Sequence, residues 1–151
     1  MLLMETNLIE KTQDRIKKHE GYRNTVYKCS EGFRTIGYGH RCFEDEGWVD
    51  DKKYPKEVLE KQFKVDFNAA ARAAEKLYEH DVSGMNPRVL SILTEMVFQL
   101  GPAGVGKFKK MLKAIAVKEY LEASKQMLDS RWAKQTPKRA ENLASEMAKI
   151  V

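Results

Sequence analysis

Cysteine is scarce in this chain, and its scarcity excludes a fold built on cross-links. The 151 residues include only Cys29 and Cys42, too few for a disulfide framework. Their spacing matches no zinc motif, and the three histidines (His19, His40 and His80) share no such motif with them. We therefore expect no metal and no other cofactor. A Cys29–Cys42 disulfide, which no feature of the spacing favours, stays open as an alternative.

Long hydrophobic runs and blocks of basic residues are also lacking. No apolar run approaches the roughly 18 residues of a membrane helix. The opening residues Met1–Met4 are followed at once by Glu5, which leaves too few for the apolar region of a secretory signal. The net charge of +5 comes from 27 basic and 22 acidic residues that are interleaved, so charge alone identifies no partner. We expect a monomer without membrane insertion, export signal or nucleic-acid binding.

Hydrophobic periodicity predicts that most of the chain is helical. Thr6 or Asn7 caps the first helix, and Gly21 ends it. The most periodic element is a long helix from Pro55, whose apolar stripe runs every three or four residues from Leu59 onward. In all, the pattern predicts six helices: from Thr6 or Asn7 to Gly21, from Pro55 to about His80, from Asn86–Pro87 to Gly101–Pro102, over 107–115 and 118–128, and from Thr136–Pro137 to about Ile150.

A small sheet is predicted between the first two helices. Tyr22–Tyr27 and Phe33–Ile36 have the pattern of two strands joined by the turn Cys29–Gly32, and the following glycines favour a bend or a third short strand. This order is typical of the α+β class. We expect one domain over 1–151, with a sheet-bearing lobe (about 15–60), a linking helix (about 55–80) and a helical lobe (about 81–151 plus the N-terminal helix). A cleft between such lobes is where a ligand would bind.

Three side chains with useful chemistry fall on the predicted helix–hairpin frame. Glu20 ends the first helix, Cys29 begins the hairpin turn and Thr35 follows in the second strand. Cleavage of an acetal needs a carboxylic acid that protonates the leaving oxygen and a group that positions the attacking water. The spacing alone is weak evidence, because a Glu before Gly is usually a solvated helix end and a lone Cys is usually a small buried hydrophobe.

The residues around these three form longer motifs. The segments His19–Tyr22 (HEGY), Val26–Gly32 (VYKCSEG) and Thr35–His40 (TIGYGH) closely resemble the active-site segment of phage-type lysozymes, glycoside hydrolase family 24. The family pattern is Glu, eight residues, Asp or Cys, five residues, Thr, and this sequence meets it at all three positions. Met96–Gly101 (MVFQLG) and Ser130–Arg139 (SRWAKQTPKR) resemble two further blocks of the family, in the same order.

The resemblance implies a lysozyme-like two-lobed fold and a set of site residues. Glu20 would be the general acid, Thr35 would position water, and Cys29 stands where Asp is more common. It implies that Arg139 approaches Glu20 from the helical lobe, where Arg139 could equally serve to hold the lobes together. The residues implied to bind sugar are Arg41, Phe98, Gln126, Gln135 and Thr136. The shorter connection over 41–55 leaves the rim of the small lobe, and its sugar contacts, different from those of well-known members.

The roles of Cys29 and of the His40–Asp66 pair depend on their protonation states. A free thiol has a pKa of about 8.5, so it is mostly protonated at pH 7, and a neighbouring Glu20 carboxylate would raise that pKa further. We expect Cys29 and Thr35 to orient the water together, with the thiolate assisting when formed, rather than Cys29 forming a covalent thioglycoside. The His40–Asp66 pair, which the resemblance implies, would raise the pKa of His40 and serve stability.

These expectations give one main function and two rivals. The main hypothesis is an endolysin that hydrolyses the bond from N-acetylmuramic acid to N-acetylglucosamine in bacterial peptidoglycan. It would be made in the host cytoplasm and reach the wall through a separate membrane-permeabilising protein. One rival is a lytic transglycosylase that uses Glu20 alone. The other is a peptidoglycan-binding module without catalysis.

Overall fold

The computed structural model describes residues 4–78 and 84–151, and its described part has the α+β character that the sequence predicts. Along the chain follow α1 (Thr6–Glu20), β1 (Arg23–Lys28), β2 (Arg34–Gly37), β3 (His40–Arg41), a short 3-10 turn (Glu44–Glu46), α2 (Lys56–Lys76), α3 (Pro87–Gly106), α4 (Lys109–Ala116), α5 (Tyr120–Leu128), α6 (Arg131–Gln135) and α7 (Pro137–Ala148). The chain divides into two compact units, one of residues 13–68 and the other of residues 1–12 with 69–151. The prediction of a single domain with its two lobes is not tested by this division and stays a prediction.

The unit of residues 13–68 is built on a three-stranded antiparallel sheet in the order β1-β2-β3. Alternation along β2 turns Ile36 to one face, where it is fully buried beside Leu59 and Phe63 of α2. Thr35 lies on the opposite face, with Tyr27 of β1 and Arg41 of β3 as its register partners. The sheet therefore presents one face to the core and carries Thr35 on the other.

The helical unit contains α3, half of whose residues are buried, nine of them in the continuous run from Val89 to Val97. Asn86 caps this helix as predicted: its side chain accepts a hydrogen bond from the Arg88 amide, and Pro87 occupies the first turn. Gly101, with φ 78° and ψ 162°, interrupts the helix, and Pro102 begins a final short segment. Among the described helices, α3 has the length and hydropathy of a membrane span, a composition that a buried core helix shares.

Several predicted boundaries need correction. α1 begins at Thr6, and the Glu5 carbonyl accepts the first helical hydrogen bond from Ile9, so neither Thr6 nor Asn7 is the cap. α2 ends at Lys76 rather than near His80. The amides of Leu77 and Tyr78 donate to the carbonyls three residues earlier in the chain, which is the hydrogen-bond pattern of a 3-10 turn and not of an α-helix. His80 lies outside the described residues.

The helix α6 was not predicted. It has only five residues, too few to show hydrophobic periodicity, and it is defined locally by Ser130. The Ser130 hydroxyl accepts a hydrogen bond from the Ala133 amide at 3.1 Å and donates to the Met127 carbonyl at 2.7 Å. The same serine thus caps α6 and bonds to the last turn of α5, which fixes the junction between the two helices.

Candidate active site

Glu20 is the last residue of α1, and its carboxyl group is directed at the turn between β2 and β3. The helix stops there because Gly21 adopts φ 77° while its amide still bonds to the Lys17 carbonyl. The Glu20 carboxyl lies against Gly39: a Cβ atom at position 39 would lie 2.9 Å from the Glu20 Cδ and would contact Oε1. Glu20 is half-buried. Its side chain therefore lies over the sheet turn rather than in bulk solvent.

Cys29 lies at the start of the hairpin turn, where backbone donors surround its sulfur. The amide of Cys29 donates to the Phe33 carbonyl, and the Gly32 amide donates to the Cys29 carbonyl, both at 2.9 Å. The amides of Glu31 and Phe33 donate to the Cys29 sulfur and lower the pKa of the thiol, and the Thr35 hydroxyl acts in the same direction. The net shift is downward although the charge of Glu31 raises the pKa, because the turn supplies donors that favour the thiolate. The effect expected of Glu20 stays a prediction.

Thr35 is buried in β2 and has two acceptors for a single hydroxyl proton. Its Oγ1 donates to the Phe33 carbonyl at 2.9 Å, and the same hydroxyl is the partner of the Cys29 sulfur. Because one proton cannot serve both at once, the hydroxyl either bonds to the backbone or stabilises the thiolate. The structure thus brings Cys29 and Thr35 together as a coupled pair.

Tyr27 joins Glu20 and Cys29 electrostatically, and the sequence analysis missed it. Burial raises the pKa of the Tyr27 hydroxyl, and the charge of Glu20 raises it further, with a smaller contribution from Cys29. The Arg23 guanidinium lies 4.7 Å from the centroid of the Tyr27 ring and opposes the shift. The alternation of residues along the predicted strand could have identified Tyr27. It lies two residues before Cys29 in that strand, so its position opposite Thr35 in the sheet could have been predicted.

His40 binds a carboxylate at each ring nitrogen. Nδ1 lies 2.8 Å from Asp66 Oδ2, as predicted, and Nε2 lies 3.1 Å from Glu46, which was not predicted. Burial lowers the pKa of His40, but the bonds to Asp66 and Glu46 outweigh it, and the net shift is upward. The predicted direction is therefore confirmed. Glu46 also accepts from the Phe43 amide and from the Trp48 indole, so it ties His40 to the connection that follows β3.

In the helical unit, Gln126 and Gln135 lie on one open groove. The groove has a volume of about 630 Å³. Phe108 and Trp132 lie in it with their rings edge to face, and four cationic side chains (Lys107, Lys109, Lys110 and Arg131) surround them. Phe98 and Thr136, the other two predicted binding residues of this unit, do not line the groove.

Thr136 is tied to the groove through Gln99, a residue that the sequence analysis did not single out. The Gln99 amide accepts from the Trp132 indole at 2.8 Å and donates to the Thr136 hydroxyl at 3.5 Å. Gln99 lies within the MVFQLG segment, in which the family resemblance implied a sugar-binding role for Phe98 only. Its two bonds fix the orientation of Trp132, and so of one wall of the groove.

Arg139 pairs with a buried glutamate of its own unit. Its Nε donates to Glu95 Oε2 at 2.8 Å, and both side chains are almost wholly inaccessible to solvent. Glu95 was missed because a single acidic residue in an apolar helix has no sequence signal beyond its position. The approach of Arg139 to Glu20 stays a prediction.

Neither cysteine forms a disulfide in this structure. Cys29 and Cys42 are free thiols. Burial raises the pKa of Cys42, the opposite of the shift at Cys29. Within residues 4–78 and 84–151, no group of three or more His, Cys, Asp or Glu side chains is arranged to hold a metal ion.

Comparison with known proteins places these residues in a family. A family model described as phage lysozyme matches residues 17–147, a range that includes every predicted site residue. Probable T4-type lysozyme 2 of Dictyostelium discoideum is 31% identical over 91% of this chain and 94% of its own length. The pre-baseplate central spike protein Gp5 of Enterobacteria phage T4 is 31% identical over 83% of this chain but only 25% of its own length. Peptidoglycan hydrolase gp36 of Pseudomonas phage phiKMV is 28% identical over 88% of this chain and 14% of its own length.

Proposed function

This chain belongs to the phage lysozyme family and is a peptidoglycan-degrading glycoside hydrolase, and from that premise we propose that it cleaves the β-1,4 bond between N-acetylmuramic acid and N-acetylglucosamine. The observation that carries the proposal is the position of the Glu20 carboxyl against Gly39, on the same small sheet that holds Cys29 and Thr35. Hydrolysis of an acetal requires a proton donor and a group that activates the attacking water or attacks in its place, and Glu20 and Cys29 would fill these two roles.

Glu20 is the general acid of the proposed reaction. It gives its proton to the glycosidic oxygen as the bond from the anomeric carbon to that oxygen breaks. Partial burial against the turn at Gly39 restricts the positions that the carboxyl can take. A positioned general acid contributes about 10²–10⁴-fold to the rate, which sets the loss expected when Glu20 is removed.

Cys29 and Thr35 supply the attacking water. Thr35 holds the water oxygen toward the anomeric carbon, and the Cys29 thiolate accepts the proton that the water loses as its oxygen bonds to that carbon. The thiol then returns its proton to solvent, and solvent reprotonates Glu20, so one water is consumed for each bond cleaved. The family resemblance favours inversion, although the rule based on carboxyl separation cannot be applied to a thiol.

The cellular role that fits this chemistry is an endolysin. Gp5 and gp36 carry phage names, which supports action on a bacterial cell wall. We propose that the enzyme is made in the host cytoplasm and acts as a monomer. It reaches peptidoglycan after a separate protein has permeabilised the membrane.

Substitution of Glu20 by Gln tests the proposal. Glu20→Gln should lower the clearing of permeabilised Gram-negative cells by at least about 100-fold, since an amide is far too weak an acid to protonate the leaving oxygen. Glu10→Gln, on an exposed position of the same helix, is the matched control and should clear like the wild type. Equal clearing by Glu20→Gln and the wild type would refute the role of Glu20.

The products separate the proposal from its rivals. Mass analysis after borohydride reduction should find reducible muramic acid ends, as hydrolysis requires. Anhydro-muramic ends would identify a transglycosylase, in which the hydroxyl of the muramic acid attacks in place of water. Sedimentation with peptidoglycan but no fragments from the wild type would identify a binding module.

A further inference from the structure

An exposed cation lies close to two aromatic rings on the face of the sheet that carries Thr35. The guanidinium carbon of Arg41 is 3.8 Å from the ring centroid of Phe33 and 5.4 Å from that of Phe43. The two phenylalanines are 40% and 53% exposed, unusually open for side chains of this size. We call these three residues the rim cluster.

Arg41 has its charged edge available. Among residues 4–78 and 84–151 it takes part in no ion pair and no side-chain hydrogen bond, and its recorded contacts are the two rings. Arg34, on the opposite face of the sheet, is by contrast bound to Asp50 at 2.7 Å and to the Trp48 carbonyl. Stacking on a ring covers the faces of a guanidinium but leaves the N–H donors at its edge accessible. These donors can form a bidentate pair of hydrogen bonds with a carboxylate.

The rim cluster is adjacent to the proposed catalytic residues. Arg41 is the register partner of Thr35, so the two side chains stand side by side on one face, with Cβ atoms roughly 5 Å apart. Phe33 lies just before β2, and its contact with Arg41 puts it on the same side as Thr35. A sugar ring next to the one that is attacked would therefore contact the cluster.

We infer that the rim cluster is a subsite for a sugar unit that carries a single carboxylate. The inference rests on the proposed function and names which feature of the glycan this site recognises. The apolar C–H face of a pyranose packs against the exposed rings, and Arg41 pairs with the free lactyl carboxylate of a muramic acid that carries no peptide. A polyanion such as a nucleic acid fits poorly, because exposed Glu44 and Asp45 directly follow the cluster and would repel a second negative charge.

The test compares two glycans that differ only at the carboxylate. Peptidoglycan strands freed of their peptides retain the lactyl carboxylate, and the same strands can be converted to neutral methylamides. Arg41→Gln should raise KM for the carboxylate strands about tenfold with little change in kcat, and should leave KM for the methylamide strands unchanged. Lys28→Gln removes the same charge from an exposed position outside the Thr35 face and should alter neither substrate.

Two further variants separate recognition from folding. Arg41→Lys keeps the charge but not the planar fork, so it should retain part of the preference. Phe33→Leu should raise KM for both strands equally, because the ring contacts the sugar and not its carboxylate. Equal effects of Arg41→Gln on both strands, or no effect on either, would overturn the inference.

The experiment also distinguishes this inference from the proposed function. If the wild type releases no fragments from intact peptidoglycan, the proposed function fails. Binding of both strands to Glu20→Gln by calorimetry then tests the rim cluster without turnover. A preference for the carboxylate that Arg41→Gln abolishes would support the inference, and its absence would refute it.

Discussion

Replacement of Gly39 by Ala tests the position of the proposed acid without touching the acid itself. Gly39 has φ 73°, and a methyl group there would meet the Glu20 carboxyl. Either Glu20 moves away or the turn between β2 and β3 shifts. In both cases the carboxyl leaves the position from which it would protonate the substrate.

Gly39→Ala should have two separate effects, one on stability and one on catalysis. An L residue at this φ costs about 1–2 kcal/mol, which lowers the melting temperature of a chain of this size by roughly 2–8 °C. The second cost is catalytic, since a misplacement of about 1 Å can lower a rate by about 10²-fold. We therefore expect Gly39→Ala to be folded at 25 °C but at least about 100-fold less active.

Gly47 provides the matched control. Its φ is 77°, nearly that of Gly39, but a Cβ atom there would meet nothing within 4 Å. Gly47→Ala should therefore show the backbone cost alone, with a similar loss of melting temperature and with activity close to that of the wild type. Melting followed by circular dichroism and clearing of purified peptidoglycan measure the two quantities. If the two alanine variants were equally active, the contact between Glu20 and position 39 could not matter to catalysis.

Three other predictions follow from the electrostatics. Cys29→Asp should move the rising limb of the pH profile of kcat/KM toward acid, because a carboxylate ionises at about pH 4 and the thiol well above it; an unmoved limb would exclude position 29 as the base. His40→Gln should lower stability more than turnover. The pKa of His40 is raised and that of Glu46 is lowered, so the ion pair of His40 with Glu46 stabilises the fold fully only between about pH 4.5 and 6.5. This stabilisation is lost as the pH rises through the pKa of His40 in the folded protein. Urea unfolding at several pH values checks this, and a pH-independent difference would contradict it. Arg139→Met should cost about 3–5 kcal/mol of stability, since it removes the guanidinium partner of buried Glu95; unfolding with a loss below about 1 kcal/mol would show that the pair contributes little.

The fold could be predicted from the sequence wherever periodicity or a cap defines an element. The stripe of Phe63 and Phe67 is buried on α2 as expected, and Asn86 with Pro87 begins α3 at the predicted residue. Prediction failed where local hydrogen bonds decide the outcome. α6 depends on one serine cap, and the end of α2 depends on a change in bonding pattern that no side chain signals.

The proximity of Cys29 and Thr35 could be predicted from the sequence, but their electrostatics could not. The family resemblance made Glu20 and Cys29 candidate site residues, whereas the direction of the Cys29 pKa depends on backbone amides, which the sequence does not show. Glu46 was missed for a related reason: it reaches His40 through the short connection after β3, whose conformation no periodicity describes. Residues brought together by turns are thus those that sequence patterns predict least well.

The hairpin turn has a consequence for how position 29 can change over evolution. Its donors, two backbone amides and one hydroxyl, are fixed by the course of the chain and not by the side chain that they surround. Such a set favours any small anion, so a carboxylate oxygen would find the same three partners as the sulfur. Exchange between cysteine and aspartate at this position would therefore leave the set of surrounding donors unchanged.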